Sequence, residues 1–212
     1  MGRKLISRSM NDFASRGGAE TRSKLGSVLW MKTLYIERST GEGRNGDWAE
    51  GLDLAGVERI VVGTGPGSFA GIRSALAFAQ GYALGSKCEV LGLPSPCAVA
   101  AQVYADGADF PLAVVGDARR GKFWIALFEG LKLVCPVFQV EKDDLSLRIP
   151  LAAKVATSDA ERIGAILSET FEERYIGGVK PTSDGLKAFA EENPSALVAE
   201  PLPIYLNPAV RD

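Results

Sequence analysis

Apolar and polar positions fall along this chain in blocks that read as strand, helix, strand, helix. The densest block runs from Arg59 to Gly85. Ile60, Val61 and Val62 form a β-branched run closed by Gly63, the pattern of a buried strand entering a glycine-rich turn. From Ile72 onward Ala75, Leu76, Ala79 and Ala83 recur at helical spacing, and Gly85 is a natural stop. The other side of this helix is also nearly apolar, with Ala77, Phe78 and Leu84, so the pattern predicts cover on both sides. One side packs on its own sheet; the other needs a second helix or a partner protein. Ala75, Ala77, Ala79, Gly81, Ala83 and Gly85 keep the helix slim enough for another to come close.

The remaining blocks extend the alternation. Ser27 to Glu37 makes one or two strands, Gly41 to Asp47 a turn, and Asp47 caps a short helix from Trp48 to Leu54. Glu89 to Leu93 is a second strand, and Pro94-Ser95-Pro96 opens a helix through Ala98 to Tyr104. After a linker at Asp106 to Asp109, strands are expected at Pro111 to Gly116, Lys122 to Phe128 and Leu133 to Val140. Then come a strand at Lys154 to Ala156, a helix from Asp159 (as N-cap) to Phe171, and a helix near Asp184 to Glu191. The extended run Leu202 to Leu206 closes the core. This order implies an α/β fold with some parallel pairing, in two sequential lobes of residues 27–108 and 109–212. Residues 1–26, rich in Arg, Lys, Ser and Gly, read as a weakly structured arm or a degenerate first strand.

Composition narrows the function. A chain of 212 residues that is 46% hydrophobic can bury a substantial core. Its formal charge of −2 argues against an overall basic nucleic-acid binder. No apolar run approaches the roughly 18 residues that span a bilayer, and no apolar stretch follows the basic N-terminal residues as in a secretory signal. Cys88, Cys97 and Cys135 are an odd set without C-x-x-C spacing, which suits buried thiols in a reducing cytoplasm. There is no histidine. That removes Ser-His-Asp and Cys-His nucleophilic sites, H-E-x-x-H proteases and any histidine-ligated metal; no metal site is expected.

Two polar segments are candidates for chemistry. In G-T-G-P-G-S, Gly65, Gly67 and Ser68 precede a helix, where successive N–H groups and the helix dipole favour an anion, and Arg73 follows one turn later. The turn lacks the Gly-Lys-Ser/Thr ending of a P-loop and does not match G-x-G-x-x-G, so a purely structural turn is the preferred reading. Asp117-Ala118-Arg119-Arg120-Gly121 is a charged turn between two apolar strands, as a hairpin end would be in any case.

Together these segments carry a resemblance. G-T-G-P-G-S-F-A-G-I-R with the following A-F-A-Q-G-Y-A-L-G resembles the G-x-G-P-G-S-F-T-G-[LV]-R-x-G signature of the bacterial TsaB (YeaZ) family. Asp117 to Trp124 resembles its D-A-R-x-G-E-V-[YF] segment, and Glu200-Pro201 with Ile204-Tyr205-Leu206 its terminal P-x-Y-[LV]-R, in the family's order. The resemblance implies a two-lobed fold of the actin and sugar-kinase (ASKHA) type, with mixed sheets flanked by helices and the N-terminal lobe truncated or degenerate. It implies a non-catalytic scaffold for TsaD, the paralogue that threonylcarbamoylates tRNA adenosine next to the anticodon. TsaE, an ATPase, joins that complex, and tRNA is met only through it. The helix after the G-P-G-S turn would serve a homodimer or the TsaD heterodimer, making Ile72, Ala75, Leu76, Ala79, Tyr82 and Ala83 the partner interface. Gly65, Gly67, Ser68, Arg73 and Asp117 are the candidate anion or nucleotide loop. No cofactor is expected to bind tightly, with ATP or ADP placed at the partner interface. TsaD-like proteins carry a paired-histidine metal site, which this chain lacks, and the old glycoprotease label fails for the same reason.

The front end departs from the family pattern, and two alignments fit. Met31 to Thr40 can be the first strand, with the following hairpin and most of the first helix missing. Alternatively, Ser27 to Trp30 and Leu34 to Arg38 form the hairpin; this second alignment is preferred because Gly43-Arg44-Asn45 then precedes the first helix. Ala70 also replaces the family's Thr. Two other functions stay open beside the scaffold. One is a nucleotide-binding enzyme of the same superfamily with Asp117 as its magnesium acid; the other is a homodimeric interaction protein that has lost its partner.

Overall fold

Three short parallel strands begin the architecture of this computed structural model, which describes residues 31–41 and 46–206. Strands β1 (Thr33–Ile36), β2 (Arg59–Gly63) and β3 (Glu89–Leu93) pair with Leu34 opposite Ile60 and Ile60 opposite Val90. Ile60, Val61 and Val62 are fully buried, as a β-branched run in a central parallel strand must be. Their alternation sends Ile60 and Val62 to one face and Val61 to the other. Helix α1 (Phe69–Gly85) covers the first face through Ile72, Ala75, Leu76 and Ala79.

The second face belongs to a core shared with another sheet. Helix α2 (Pro96–Tyr104) follows β3, and its residues 97–101 are buried. Next come β4 (Leu112–Arg119), β5 (Lys122–Glu129), β6 (Lys132–Leu133) and β7 (Phe138–Glu141), with a short helix α3 (Leu145–Arg148). Strand β8 (Lys154–Thr157), helix α4 (Ala160–Phe171) and strand β9 (Tyr175–Gly178) follow. The sheet order is β6-β5-β4-β8-β9, with β7 also on β5; β4, β5 are antiparallel and β4, β8, β9 parallel. Leu112, Val114, Trp124 and Phe128 point to the shared core, while Ala113, Val115, Phe123 and Ile125 point to α4.

Between the sheets α2 packs on α5 (Ser183–Glu192). The contact is close because Gly185 has no side chain: a Cβ there would lie 2.5 Å from the carbonyl oxygen of Ala98. The layers are therefore α1, first sheet, the α2–α5 pair, second sheet, α4. The chain then returns to the first sheet, where β10 (Val198–Ala199) pairs antiparallel with β3. From Thr33 onward the chain is one compact unit. No helix among the described residues is long and apolar enough to cross a membrane.

Several sequence expectations shift. Thr33–Ile36 runs parallel to β2, so it takes the place of the first strand, and the preferred hairpin alignment gives way to the other. The reason is facing: Ile36 packs toward α1 and Tyr35 toward the shared core, which puts Glu37-Arg38-Ser39-Thr40 at the carboxyl ends of the parallel strands. Residues 1–26, Ser27 to Trp30 and Gly43-Arg44-Asn45 lie outside the described residues. The helix expected from Trp48 to Leu54 is a single 3-10 turn, Gly46–Ala49. The run Leu133 to Val140 is interrupted around Pro136, which has no N–H for a ladder, and its two ends pair with separate parts of β5. Leu202 to Leu206 forms no strand and pairs in no sheet.

Replacing Gly185 by Ala should push α5 away from α2 and destabilise the protein by about 1–3 kcal/mol, the usual cost of overpacking. Denaturant unfolding of the variant would register this, and an unchanged midpoint would show that the helices separate freely.

Candidate functional site

The polar residues after β1 reach the turn before α1. The backbone N–H of Ser39 donates to Glu37 Oε1 at 2.6 Å, and the Ser39 carbonyl accepts from the N–H of Ser68 at 2.6 Å. Ser68 is the N-cap of α1, and its Oγ accepts from the N–H of Gly71 at 3.3 Å. Gly67 has φ +155, and a Cβ there would collide with Ser39, so only glycine lets the two loops meet. Below it, Gly65 exchanges two hydrogen bonds with Ser95, its N–H donating to Oγ at 3.0 Å and its carbonyl accepting at 2.9 Å. The Gly65–Pro66 bond is cis.

Glu37 sits beneath this junction. Its Oε2 is buried with no hydrogen-bond partner and occupies the space a side chain at Gly63 would need. Burial pushes its pKa up from the ordinary 4.5, and the hydrogen bonds around Ser39 oppose this only in part.

The second sheet contributes the facing wall. The β4–β5 hairpin turns through Arg119, Arg120 and Gly121, all with positive φ. Asp117 Oδ1 accepts from the N–H of Arg119 at 2.8 Å, and Oδ2 accepts from Arg119 Nη1 at 3.1 Å and Arg162 Nη1 at 3.5 Å. Asp159 does not cap α4 with its side chain; its Oδ2 instead accepts from the Asp117 N–H at 3.0 Å. Burial raises the pKa of Asp159, with the neighbouring Asp117 charge adding to the effect.

Between these walls lies a cleft of about 840 Å³. Gly67, Ser68, Arg73 and Asp117 line it together, so four of the five residues expected for an anion loop converge there. Gly65 is buried behind the loop and acts through its bonds to Ser95. The tail forms the third wall, held where Ile204 N–H donates to the Thr64 carbonyl at 2.9 Å. Tyr205 lies 5.9 Å from Phe69, centroid to centroid, and the Arg73 guanidinium stacks 4.8 Å over the other aromatic, Phe69. Asp117 is engaged by two arginines rather than presented to a cation. Among the described residues no cluster of three or more His, Cys, Asp or Glu side chains could hold a metal. Glu37, Phe69, Trp124, Asp159, Arg162 and Tyr205 were missed by sequence reasoning. Only the polar run after an apolar strand pointed toward the first of them.

The expected interface residues need correction. Ile72, Ala75, Leu76 and Ala79 are buried against the chain's own first sheet. Tyr82 is half-buried and donates its hydroxyl to the Leu54 carbonyl at 2.9 Å, and Ala83 is half-buried beside the same core. The outward side of α1 is instead Ala70, Arg73, Ser74, Ala77, Gln80, Gly81 and Leu84, the last 92% exposed. Helical spacing identifies two faces but does not say which one the sheet takes.

A family model described as TsaD, tRNA N6-adenosine threonylcarbamoyltransferase, matches residues 49–135. An uncharacterized protein of Mycobacterium tuberculosis is 33% identical over 93 residues, covering 43% of this chain and 42% of that protein. The tRNA threonylcarbamoyladenosine biosynthesis protein TsaB of Escherichia coli is 34% identical over 80 residues, 37% of this chain and 34% of that protein. The matched part thus spans less than half the length of these relatives. In structure, YeaZ from Pseudomonas aeruginosa aligns with a TM-score of 0.59 at 22% identity, covering 74% of this chain and 77% of that one. A second Pseudomonas aeruginosa structure, of an uncharacterized protein with similarity to peptidase YeaZ, gives the same TM-score at 21% identity. The fold is the ASKHA-like fold of the YeaZ structures.

Two measurements check this geometry. Because the folded-state pKa of Glu37 lies above its unfolded value, its contribution to stability is full below pH 4.5 and is lost as pH rises through the folded pKa. Glu37→Gln should therefore be more stable than the native protein at neutral pH, the difference vanishing in acid. Parallel stability curves from pH 4 to 8 would show that the carboxyl ionises freely when folded. Ser68→Ala should cost about 1 kcal/mol through loss of the N-cap, read as a lower thermal midpoint.

Proposed function

We propose that this chain, similar to the TsaB/YeaZ proteins in its central segment and its fold, is a non-catalytic scaffold subunit that binds and supports a TsaD-type transferase in tRNA threonylcarbamoyladenosine biosynthesis. A TsaE-type ATPase joins the complex, tRNA is engaged only through it, and the chain pairs with itself when alone. The observation that carries this reading is the outward side of α1. Ala70, Ala77, Gly81 and Leu84 are small or apolar, yet exposed, beside the polar Arg73, Ser74 and Gln80, on the helix whose other side is already satisfied by the sheet. A helix face of this kind admits another helix at close range. The family resemblance assigns the same helix to the homodimer or the TsaD heterodimer, so the interface moves to this outward side.

The enzyme reading has less support. A superfamily kinase needs an acid free to meet magnesium, whereas both oxygens of Asp117 accept hydrogen bonds from this chain. The isolated chain should accordingly show neither ATP hydrolysis nor peptidase activity. Turnover at an enzyme-like rate of about 1 per second would sink the scaffold reading.

The interface is tested by two arginine substitutions on one helix. Ala77→Arg should leave the thermal midpoint nearly unchanged while weakening capture of the TsaD-type partner of the same organism and self-association in sedimentation. Ala79→Arg places a charge in the chain's own core and should destabilise the fold itself, by several kcal/mol. Undiminished association of Ala77→Arg with both partners would remove this face from the interface.

A further inference from the structure

We infer that the partner which meets the outward side of α1 also docks on the mouth of the cleft, through a protein segment that places a carboxylate beside an apolar side chain. Such docking presupposes the scaffold reading above and follows from area. Helix α1 has 17 residues, so one of its sides is about 25 Å long and about 10 Å wide. That is roughly a third of the ~800 Å² that each partner contributes to a stable interface. Of the apolar groups on that side, Ala70, Ala77 and Gly81 are too small to act as anchors, which leaves Leu84. An interface built on α1 therefore has to continue past one end of the helix.

The two ends differ. Beyond the C-terminal end come Ser86 and the exposed Lys87, which offer no apolar anchor. At the N-terminal end Phe69 is 59% exposed and Tyr205 58%, with their ring centroids 5.9 Å apart. The Arg73 guanidinium lies 4.8 Å over the Phe69 ring. Tyr205 is carried by a tail segment that is itself held: Ile204 donates its N–H to the Thr64 carbonyl at 2.9 Å, and Pro201 sits where a side chain at Gly92 would have to go. The same segment leaves Leu202 exposed. Tyrosine and arginine are among the residues that carry most binding energy at protein interfaces, and here Arg73, Phe69 and Tyr205 hold one another in place before a partner arrives.

Charge sets what the partner brings. Arg73 forms no ion pair among the described residues. Its face is taken by Phe69, so the edge that carries its N–H donors is left for an acceptor, and that fork fits a carboxylate. Farther along the mouth Arg119 and Arg162 share Asp117, and Asp159 Oδ2 accepts from the Asp117 N–H. Three arginines thus stand against two acids at the cleft, in a chain whose formal charge is −2. This local excess of positive charge attracts an acidic protein segment. The exposed rings beside the cation call for an apolar side chain next to that acid.

The test is capture of the TsaD-type partner of the same organism by the full chain, with the affinity measured at low and at high salt. Tyr205→Ala should weaken capture about tenfold, as loss of an interface anchor does. Arg73→Ala should weaken it by a similar factor and also make the affinity less sensitive to salt. Both side chains are exposed, so the thermal midpoint should stay close to that of the native chain in each variant. Undiminished capture by either variant overturns the proposal. Ala77→Arg keeps the two readings apart: if it weakens capture while Tyr205→Ala and Arg73→Ala bind as the native chain does, the scaffold reading stands and the interface ends at α1. If the native chain captures nothing, both fall. Variants that retain capture but lose binding of RNA by the complex would assign the surface to RNA, which also overturns the proposal.

Discussion

The double-sided burial of β2 is the constraint on which the rest of the structure depends. Ile60, Val61 and Val62 have no contact with water, so both faces of the first sheet need cover. One face is met locally, by the helix that follows β2 in the chain. The other cannot be met locally; it draws in α2, α5 and the inner face of the second sheet, and so joins residues from Val61 to Ala190 in one core. Non-directional apolar burial of this kind sets the layer order, while hydrogen bonding sets the register within each sheet.

Polar contacts are concentrated where the layers end. The carboxyl ends of parallel strands cannot continue their ladders, and the loops leaving them gather in one place. Here Glu37, Ser39 and Ser68 join the end of β1 to the start of α1 by hydrogen bonds of 2.6 Å, while Asp117 and Asp159 do the same for β4 and α4. The turn at Gly67 is thus a structural element and a wall of the cleft at once. A turn that must be held firmly to pack two loops together also holds its N–H groups firmly.

The two sides of α1 divide between folding and association. Its sheet side carries the branched and longer side chains that fill the core, Ile72 and Leu76, with Ala75 and Ala79 letting the backbone approach. Its outward side carries small residues, the polar Arg73, Ser74 and Gln80, and one exposed apolar side chain, Leu84. The same helix is therefore a core element on one side and a surface left open to solvent on the other, as the proposed scaffold role requires.

Much of the fold was legible in the sequence because its signals are local. A β-branched run before a glycine turn, helical spacing of apolar residues and alternation around Asp117 to Phe128 each depend on neighbours within one or two turns, and the strands and helices lie close to where these signals place them. The Gly65 to Arg73 turn and Asp117 were readable as two separate polar segments, and only the fold brings them to one cleft. What tertiary structure alone decided is everything that depends on direction or distance. Thr33–Ile36 could be a hairpin arm or a first strand until its parallel pairing with Arg59–Gly63 settled it. Periodicity showed two faces on α1 but not which one the sheet would bury. The orphaned Trp124 donor, the buried Glu37 carboxyl and the Asp117–Asp159 contact across 42 positions arise from chain segments that meet only after the sheets have formed. Burial and hydrogen-bond satisfaction are properties of surroundings, and those surroundings come from distant parts of the sequence.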